Sequence, residues 1–346
     1  MRGSPFLCHK IRIYTYIVQT IGREAMNMQE HNRKQEILRI FSMEIRSILK
    51  QVELDFSQLQ EIRLRVNAPM LCVYRNQEYY VSEKGELTRD CRKCYMVNKK
   101  EIQETMEYIG NYSLYAYEEE VRQGFITIQG GHRVGIAGKA VVEQGRVRSL
   151  KYISFLNIRF SHEIRGCADL LMPYLSEGER SMHTLIVSPP RCGKTTLLRD
   201  CIRQLSNGTA DCRGKTIGVV DERSEIGGSY LGIPQNDLGI RTDVLDCCPK
   251  TEGILMLVRS MAPQIIAVDE IGSQEEARAI ETALYTGCSL LATIHGNSIE
   301  DLRQKPTLKE LLREKRIERY VLLSNAKGVG TIEVIYDREG KEIYRC

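Results

Sequence analysis

Apolar and polar residues follow two different periods in the first part of the chain. Over residues 34–49 the apolar positions lie three or four residues apart, which predicts one helix with a single buried face. Residues 61–66 alternate charged and apolar side chains, and this period of two predicts a strand. Residues 70–74 and 78–81 follow across turn-forming residues and have strand patterns as well. The three strands predict a small antiparallel sheet.

Helix and strand signals continue up to about residue 160. Asn98 followed by Glu101 is a capping-box pattern, which predicts the start of a helix. The predicted helices are 98–109 and 113–123, two short strands lie within 124–138 around a glycine-rich turn, and 141–147 surrounds another glycine turn. Helices mixed with meandering strands predict an N-terminal α+β domain, with its linker, over residues 28–160.

The pattern changes in the second half of the chain, residues 161–346. Short apolar runs alternate there with helical patterns, which predicts an α/β fold with a parallel sheet wrapped by helices. The predicted strands are 183–187, 216–220, 265–268 and 289–294, and the predicted helices are 194–205, 251–261 and 274–285. A charged helix around 308–315 and terminal antiparallel strands at 320–323, 331–336 and 342–344 complete this second domain.

Composition is typical of a soluble globular protein. Of the 346 residues, 42% are hydrophobic and 27% are charged, which excludes an intrinsically disordered chain and allows about two domains. The net charge of +4 does not by itself require a nucleic-acid partner. The 12 cysteines are scattered, which favours a reducing cytoplasm over a disulfide framework.

Residues 1–27 are predicted to be a poorly ordered N-terminal extension. The apolar run at 11–21 is shorter than the roughly 18 residues that a membrane-spanning helix needs, and Arg12 interrupts it. A cleavage site of small residues does not follow this run, so it is also a poor signal peptide. We therefore expect a cytoplasmic protein whose fold begins after this extension.

A phosphate-binding loop is the strongest chemical signal in the sequence. Oligophosphate binding needs backbone N–H groups at a helix N-terminus, a lysine for the β and γ phosphates and a hydroxyl for Mg2+. Lys194 and Thr195 supply the last two between a predicted strand and a predicted helix, although Ser188 replaces the usual first glycine of GxxxxGK[ST]. The predicted residues for ATP and Mg2+ are Ser188, Pro189, Pro190, Arg191, Cys192, Gly193, Lys194, Thr195 and Thr196. A chance helix start with a surface lysine is the alternative.

Paired acidic residues follow a later apolar strand. Asp269 and Glu270 come directly after four apolar residues. A carboxylate at the carboxyl end of a strand can hold Mg2+, so Asp269 is predicted to do this together with Thr195. The adjacent Glu270 is predicted to polarise the attacking water. Alone, such a pair could also be a helix-capping turn.

Two other strand ends contain candidate catalytic residues. Glu222 and Glu225 follow the strand predicted at 216–220 and could place a base or a water, or they could belong to a solvated loop. His295 ends the strand predicted at 289–294 and could sense the γ phosphate, although a single histidine is often structural. Which acidic residue is the catalytic base stays open at this point.

Five longer motifs carry a resemblance to a known family. They are SLYAYEEE at 113–120, QGGHRVGIAG at 129–138, LNIR at 156–159, SPPRCGKTTLLRD at 188–200 and RTDVLD at 241–246. From about residue 30 to the C-terminus, the chain resembles the stage III sporulation protein AA family. That family is similar to hexameric secretion and pilus-motor ATPases. The resemblance implies a RecA-like P-loop ATPase core preceded by a smaller α+β domain.

The resemblance also implies roles for particular residues. Glu222 and Glu225 match the aspartate-rich box of the related motors, and His295 matches their histidine box. Arg133 and Arg159 are candidates for the arginines that those motors use to close over the nucleotide, with surface charge as the alternative.

The activity that the resemblance implies is ATP hydrolysis on the mother-cell side of a sporulation channel. The implied partners are other copies of the chain, expected as a hexamer, and integral membrane proteins of the channel. Neither nucleic acid nor a small-molecule substrate other than ATP is expected. The alternatives are a RecA-like nucleic-acid motor, which would need a basic, aromatic-bearing groove, and a non-hydrolysing scaffold gated by ATP.

Overall fold

The computed structural model describes residues 34–110, 118–208 and 213–346. Its chain divides into two compact units, one ending at Ser161 and the other beginning at His162. The predicted extension at 1–27 and residues 113–117 of a predicted helix lie outside the described residues.

The first unit contains one large antiparallel sheet and short helices. Its helices are α1 (34–39), α2 (Met43–Gln51), α3 (Lys99–Ile109) and α4 (Glu118–Gln123). Its strands are β1 (Leu59–Arg65), β2 (Ala68–Pro69), β3 (Leu71–Tyr74), β4 (Gln77–Val81), β5 (Leu87–Thr88), β6 (Met96–Val97), β7 (Phe125–Ile128), β8 (His132–Glu143) and β9 (Arg146–Arg159). The large sheet has the order β5-β4-β3-β1-β9-β8-β7, and all its neighbouring strands are antiparallel.

The prediction of one continuous helix over 34–49 is wrong. Ser42 interrupts it with φ −52° and ψ 158°, outside the helical region, and its hydroxyl accepts a hydrogen bond from Ile45 N–H. Ser42 N–H also donates to the Thr105 hydroxyl at 3.1 Å. Serine is a strong N-cap residue, so the chain begins a new helix there. By contrast, the capping box of Asn98 and Glu101 is confirmed.

The strands predicted after residue 124 are longer in the structure. β8 has 12 residues and β9 has 14, and together they form a hairpin. Its turn contains Gln144 with φ +51° and Gly145 with φ +77°, which suits the type I′ turn of a two-residue hairpin. The sequence hides these lengths because much of the hairpin is exposed on both faces, so polar and apolar positions do not alternate there.

The second unit contains a mixed sheet with helices on both faces. Its strands are β10 (Ser176–Glu177), β11 (Arg180–Ser181), β12 (Thr184–Ser188), β13 (Ile217–Asp221), β14 (Thr242–Asp246), β15 (Ile265–Val268), β16 (Ser289–His295), β17 (Arg319–Ser324), β18 (Thr331–Asp337) and β19 (Glu342–Arg345). Its helices are α5 (Lys194–Asn207), α6 (Lys250–Ser260), α7 (Gln274–Tyr285), α8 (Ile299–Gln304) and α9 (Lys309–Arg313). The large sheet has the order β14-β13-β15-β16-β12-β17-β18-β19.

The first six strands in this sheet order are parallel to one another; they are β14, β13, β15, β16, β12 and β17. The last two strands, β18 and β19, continue the sheet and are antiparallel to their neighbours. β12, β13 and β15 are buried along their whole length, which explains their continuous apolar sequences. Leu185 and Val187 of β12 pack in the core cluster that also contains residues of α6 and α7, while Ile186 packs in the cluster of α5. Helices therefore cover both faces of the central strands.

Four elements of this unit are absent from the sequence prediction: the two-residue strands β10 and β11, the strand β14 and the helix α8. β14 has the sequence TDVLD and forms the edge of the parallel sheet, where it is only partly buried, so its pattern is too polar to stand out. α8 has six residues and is capped by the Ser298 hydroxyl. The helix predicted at 308–315 is limited to α9, because Pro306 begins a 3-10 turn immediately before it.

Glu318 is a buried carboxylate just before β17. Only 5% of its side chain is exposed, and it accepts hydrogen bonds from His183 N–H at 3.0 Å, from Arg338 Nη2 at 2.6 Å and from Arg180. Burial alone would raise the pKa of this carboxyl, but the His183 amide and the Arg180 guanidinium bring the pKa below its usual value. The carboxylate thus joins three separate segments of the second unit.

Glu318→Gln is expected to lower the free energy of unfolding by about 3 kcal/mol at neutral pH, because a buried ion pair loses one partner. The lowered pKa means that this stabilisation is present above the usual glutamate value of about 4.3 and is lost as the pH falls through the folded-state pKa. Urea unfolding curves measure both effects. Glu339→Gln is the control, since Glu339 pairs with Lys315 on the surface and should change stability by less than about 1 kcal/mol. Equal stability of Glu318→Gln and the wild type at neutral pH would contradict the expectation.

Candidate active site

The loop between β12 and α5 lies at the carboxyl end of the parallel strands. Arg191 and Gly193 have φ of +61° and +83°, which turns the chain sharply into α5. A Cβ atom on Gly193 would lie 3.3 Å from Gly330 Cα, so glycine suits both the backbone conformation and the space. Gly193 is the N-cap residue and has no side chain, which leaves the first amide N–H groups of α5 available to an anion.

Lys194 begins α5 and is 8% exposed. Its Nζ donates to the Pro189 and Ser188 carbonyls at 3.2 and 3.3 Å and lies 2.9 Å from His295 Nδ1. Burial lowers the pKa of this ammonium, while the carboxylates of Asp269 and Glu270 oppose that shift. The side chain is therefore a buried cation beside an exposed helix N-terminus.

His295 links Lys194 to Glu270. An ammonium group can only donate, so His295 Nδ1 accepts the hydrogen bond from Lys194 and the ring proton lies on Nε2. That Nε2 is 2.9 Å from Glu270 Oε1. Since His295 ends β16 and Glu270 follows β15, the two neighbouring parallel strands bring these side chains together.

Asp269 is held by hydroxyl groups from two elements. Thr195 Oγ1 of α5 donates to Asp269 Oδ2 at 2.8 Å, and the Thr293 hydroxyl of β16 donates to Asp269 Oδ1. A carboxylate and a threonine hydroxyl in contact are hard oxygen ligands, which suits Mg2+. Among the described residues, no group of three or more His, Cys, Asp and Glu side chains could hold a metal ion. Mg2+ in proteins commonly needs only one or two carboxylates beside substrate oxygens and water.

Glu270 has a strained backbone. Its φ is +54°, a left-handed value that costs a non-glycine residue about 1–3 kcal/mol and that needs support from its surroundings. Glu270 N–H donates to Thr293 Oγ1 at 2.8 Å, and Glu270 C=O accepts from Lys250 Nζ at 3.0 Å. Both sides of the strained residue are therefore held by hydrogen bonds.

The acidic residues of the neighbouring strand end face the same cleft. Glu222 Oε2 is 3.0 Å from Lys250 Nζ, and the Glu225 side chain is exposed. One shallow cleft is lined by Asp221, Glu222, Arg223, Glu225, Lys250, Asp269 and Glu270. The structure therefore brings together the acidic candidates that the sequence placed at two separate strand ends.

Asp221 and Arg199 position the loop that contains Glu222 and Glu225. Asp221 is buried and accepts hydrogen bonds from the N–H groups of Glu225, Ile226 and Gly227 at 2.8, 3.0 and 2.7 Å. Burial raises the pKa of Asp221 to about 6, although those amides lower it. Arg199, also buried, donates to the Ile226 and Glu225 carbonyls at 2.9 and 2.8 Å. The loop is thus held by Asp221 at the end of β13 and by Arg199 of α5.

Sequence reasoning did not assign functions to Asp221, Arg199 or Lys250. Arg199 lies inside the motif at 188–200, and Asp221 directly precedes the candidate Glu222, so their positions were visible without their partners. Lys250 begins a helix, where a cation is unfavourable for the helix dipole, and this mismatch is the available signal.

Arg133 and Arg159 lie in the first unit and face each other across β8 and β9. The Arg133 guanidinium lies 3.6 Å from the centre of the Phe125 ring, and Arg159 Nε is 3.5 Å from Glu61 Oε1. The structure thus brings the two arginines together on one sheet, and their contact with a nucleotide stays a prediction.

A parallel sheet flanked by helices, with this loop and an acidic strand end at its carboxyl edge, defines a P-loop ATPase fold of the RecA-like class. The predicted α/β fold class is confirmed. The sequence profile described as "Sporulation stage III, protein AA" matches residues 31–343. The chain therefore belongs to the stage III sporulation protein AA family, which confirms the resemblance.

A curated relative agrees with this family assignment, and two solved structures share the fold. "Stage III sporulation protein AA" of Bacillus subtilis (strain 168) is 41% identical over 311 residues, covering 90% of this chain and 97% of the relative. The ATPase DotB of Yersinia pseudotuberculosis has a similar fold, with a TM-score of 0.53, 14% identity and coverage of 82% of this chain and 75% of DotB. The pilus retraction motor PilT, solved with ADP, has a TM-score of 0.50, 12% identity and coverage of 80% and 76%. At these identities the two structures support the fold alone.

Within the described residues, the helices are too short or too polar to cross a membrane.

Proposed function

We propose that the chain is an ATP-hydrolysing motor of the secretion-ATPase type that acts in sporulation. The observation that carries this proposal is the convergence of Lys194, Thr195, Asp269, Glu270 and His295 at one edge of the parallel sheet. A buried cation, a pair of hard oxygen ligands and a supported carboxylate are the groups that phosphoryl transfer to water needs.

The loop and helix α5 bind the triphosphate of ATP. The amide N–H groups at the start of α5 face the phosphate oxygens, and Lys194 Nζ moves from the Ser188 and Pro189 carbonyls to the β and γ phosphates. The loop residues that contribute backbone or side-chain contacts are Ser188, Pro189, Pro190, Arg191, Cys192, Gly193 and Thr196. Thr195 and Asp269 would hold Mg2+, which neutralises charge on the phosphates when bound.

Glu270 is the proposed general base. Its carboxylate accepts a hydrogen bond from the attacking water and takes the proton as the γ-phosphoryl bond breaks. Glu222 and Glu225, at the edge of the same cleft, position water or substitute as the base. His295 contacts both Lys194 and Glu270. When ATP draws Lys194 away from His295, the hydrogen bond between His295 and the Glu270 carboxylate changes as well. This contact gives His295 its proposed role in sensing the γ phosphate.

Family membership supports the biological part of the proposal. The proposed assembly is a homo-oligomer, expected as a hexamer, that acts on the mother-cell side of a sporulation channel through integral membrane partners. Residues 28–160 are the proposed N-terminal domain with its linker, and 161–346 the proposed ATPase domain.

Phosphate release by the purified protein tests the proposal. Release of inorganic phosphate should require both ATP and Mg2+, and chelation of Mg2+ should abolish it. Native mass spectrometry with a non-hydrolysable ATP analogue gives the oligomer number, for which six subunits are expected. Saturable ATP binding without phosphate release, with and without membrane partners, would instead support an ATP-gated scaffold. A salt-dependent gel shift with nucleic acid would support a nucleic-acid motor.

A further inference from the structure

Lys250 is a buried cation in an unfavourable local position. It is the first residue of α6, where the helix dipole disfavours positive charge, and only 10% of its side chain is exposed. Burial of an ammonium group is costly unless acceptors compensate it. The reason for a lysine here must therefore lie in what its Nζ contacts.

Three groups from three different segments surround Lys250 Nζ. The Glu270 carbonyl oxygen lies at 3.0 Å, Glu222 Oε2 at 3.0 Å and Glu276 Oε2 at 3.9 Å. Glu222 follows β13, Glu270 follows β15 and Glu276 belongs to the first turn of α7. The ammonium thus joins the two acidic strand ends of the cleft to the start of a helix.

Lys250 contacts Glu270, a residue whose backbone conformation needs support from its surroundings. Glu270 has a left-handed φ of +54°, and its carboxylate direction depends on that backbone conformation. Thr293 Oγ1 holds the N–H group of Glu270, and Lys250 Nζ holds its C=O group. The N–H group of the same peptide, that of Ile271, donates to the Thr293 carbonyl at 2.9 Å. Without Lys250 this peptide would be held at its N–H group only, and the carboxylate would be less firmly aligned with His295 Nε2.

We propose that Lys250 is a positioning residue that fixes the Glu270 peptide, and with it the catalytic carboxylate, while setting the place of Glu222. This inference rests on the proposed ATPase function. Lys250 acts on the reaction through these glutamates, since its Nζ contacts Glu222, Glu270 and Glu276. Its loss therefore affects the chemical step more than the binding of ATP.

Lys250→Met tests the proposal, because methionine keeps an unbranched side chain without the charge. We expect kcat to fall by about 100-fold, while the ATP dissociation constant changes by less than about threefold. Lys250→Arg should recover about tenfold of that loss, because a guanidinium can still donate to both acceptors. Lys309→Met is the matched control: Lys309 also begins a helix, but its side chain is exposed, and turnover should be unchanged.

A double-mutant cycle separates positioning from a general structural effect. In a Glu270→Gln background, Lys250→Met should lower the residual rate by less than about threefold, because the residue acts through Glu270. Full additivity of the two losses, or a loss of ATP affinity as large as the loss of kcat, would overturn the proposal.

Hydrogen exchange supplies a readout that does not depend on turnover. Lys250→Met should speed exchange of the Ile271 amide by about tenfold or more, because this N–H belongs to the peptide whose C=O group Lys250 holds; Lys309→Met should not change it. Unchanged exchange would refute the positioning role even if the wild type hydrolyses ATP. Faster exchange in a protein whose wild type releases no phosphate would refute the proposed function and retain the positioning role.

Discussion

Lys194→Ala is expected to weaken ATP binding by about 100-fold or more. The lysine is the buried cation at the start of α5, and it is already desolvated by its contacts with the Ser188 and Pro189 carbonyls and with His295. When a buried phosphate loses its charged partner, the binding free energy falls by more than for most other side-chain truncations in a binding site. Titration of a fluorescent ATP analogue with Mg2+ present measures the dissociation constant.

The control for this variant is Lys309→Ala, which removes an exposed lysine from the same unit. It should bind the analogue as the wild type does. Circular dichroism and thermal melting show whether Lys194→Ala is folded. Its Tm should stay close to that of the wild type, because the lost hydrogen bonds to the Ser188 and Pro189 carbonyls are offset by relief from burying an ammonium group. A folded Lys194→Ala protein with a dissociation constant within about threefold of the wild-type value would contradict the assignment of the phosphate loop.

Glu270→Gln is expected to retain ATP binding and to lose hydrolysis. Glutamine keeps the size of the side chain but cannot take a proton from water, so kcat should fall by about 100- to 10,000-fold. The backbone contacts of Glu270 with Thr293 and Lys250 do not involve the carboxylate, and they should survive the substitution. Single-turnover phosphate release, together with the binding titration, separates the two effects.

Two neighbouring acids make this test selective. Glu222→Gln and Glu225→Gln change the same chemical group in the same cleft, and each should lower kcat by less than about tenfold if Glu270 is the base. Persistent turnover in Glu270→Gln, with loss of turnover in either neighbour, would move the base to that neighbour.

The central fold follows from the sequence because its signals are local. The buried strand before Ser188, the glycine turn and the amphipathic helix after Lys194 occur in one continuous segment, so pattern and motif reinforce each other. The break at Ser42 was missed because the apolar spacing continues across it, while the capping hydrogen bonds decide the backbone. β14 was missed because an edge strand with alternating acids resembles a loop.

The candidate site was only partly predictable for a different reason. Asp269, Glu270 and His295 stand at strand ends, where topology alone predicts that they meet. The contacts of Lys250 and Arg199 depend on which helix packs beside which strand end, and no local pattern contains that information. The left-handed backbone at Glu270 is likewise produced by its tertiary contacts.

The place of β12 in the middle of its sheet has a consequence for synthesis of the protein. Thr184 pairs with Leu291 on one side and with Arg319 on the other, so both neighbours of this strand leave the ribosome long after it does. Such distant pairings are slow to form and expose apolar strands while the nascent chain waits for them. We therefore expect the second unit to fold only once translation is nearly complete, and growing chains to need chaperone protection until then.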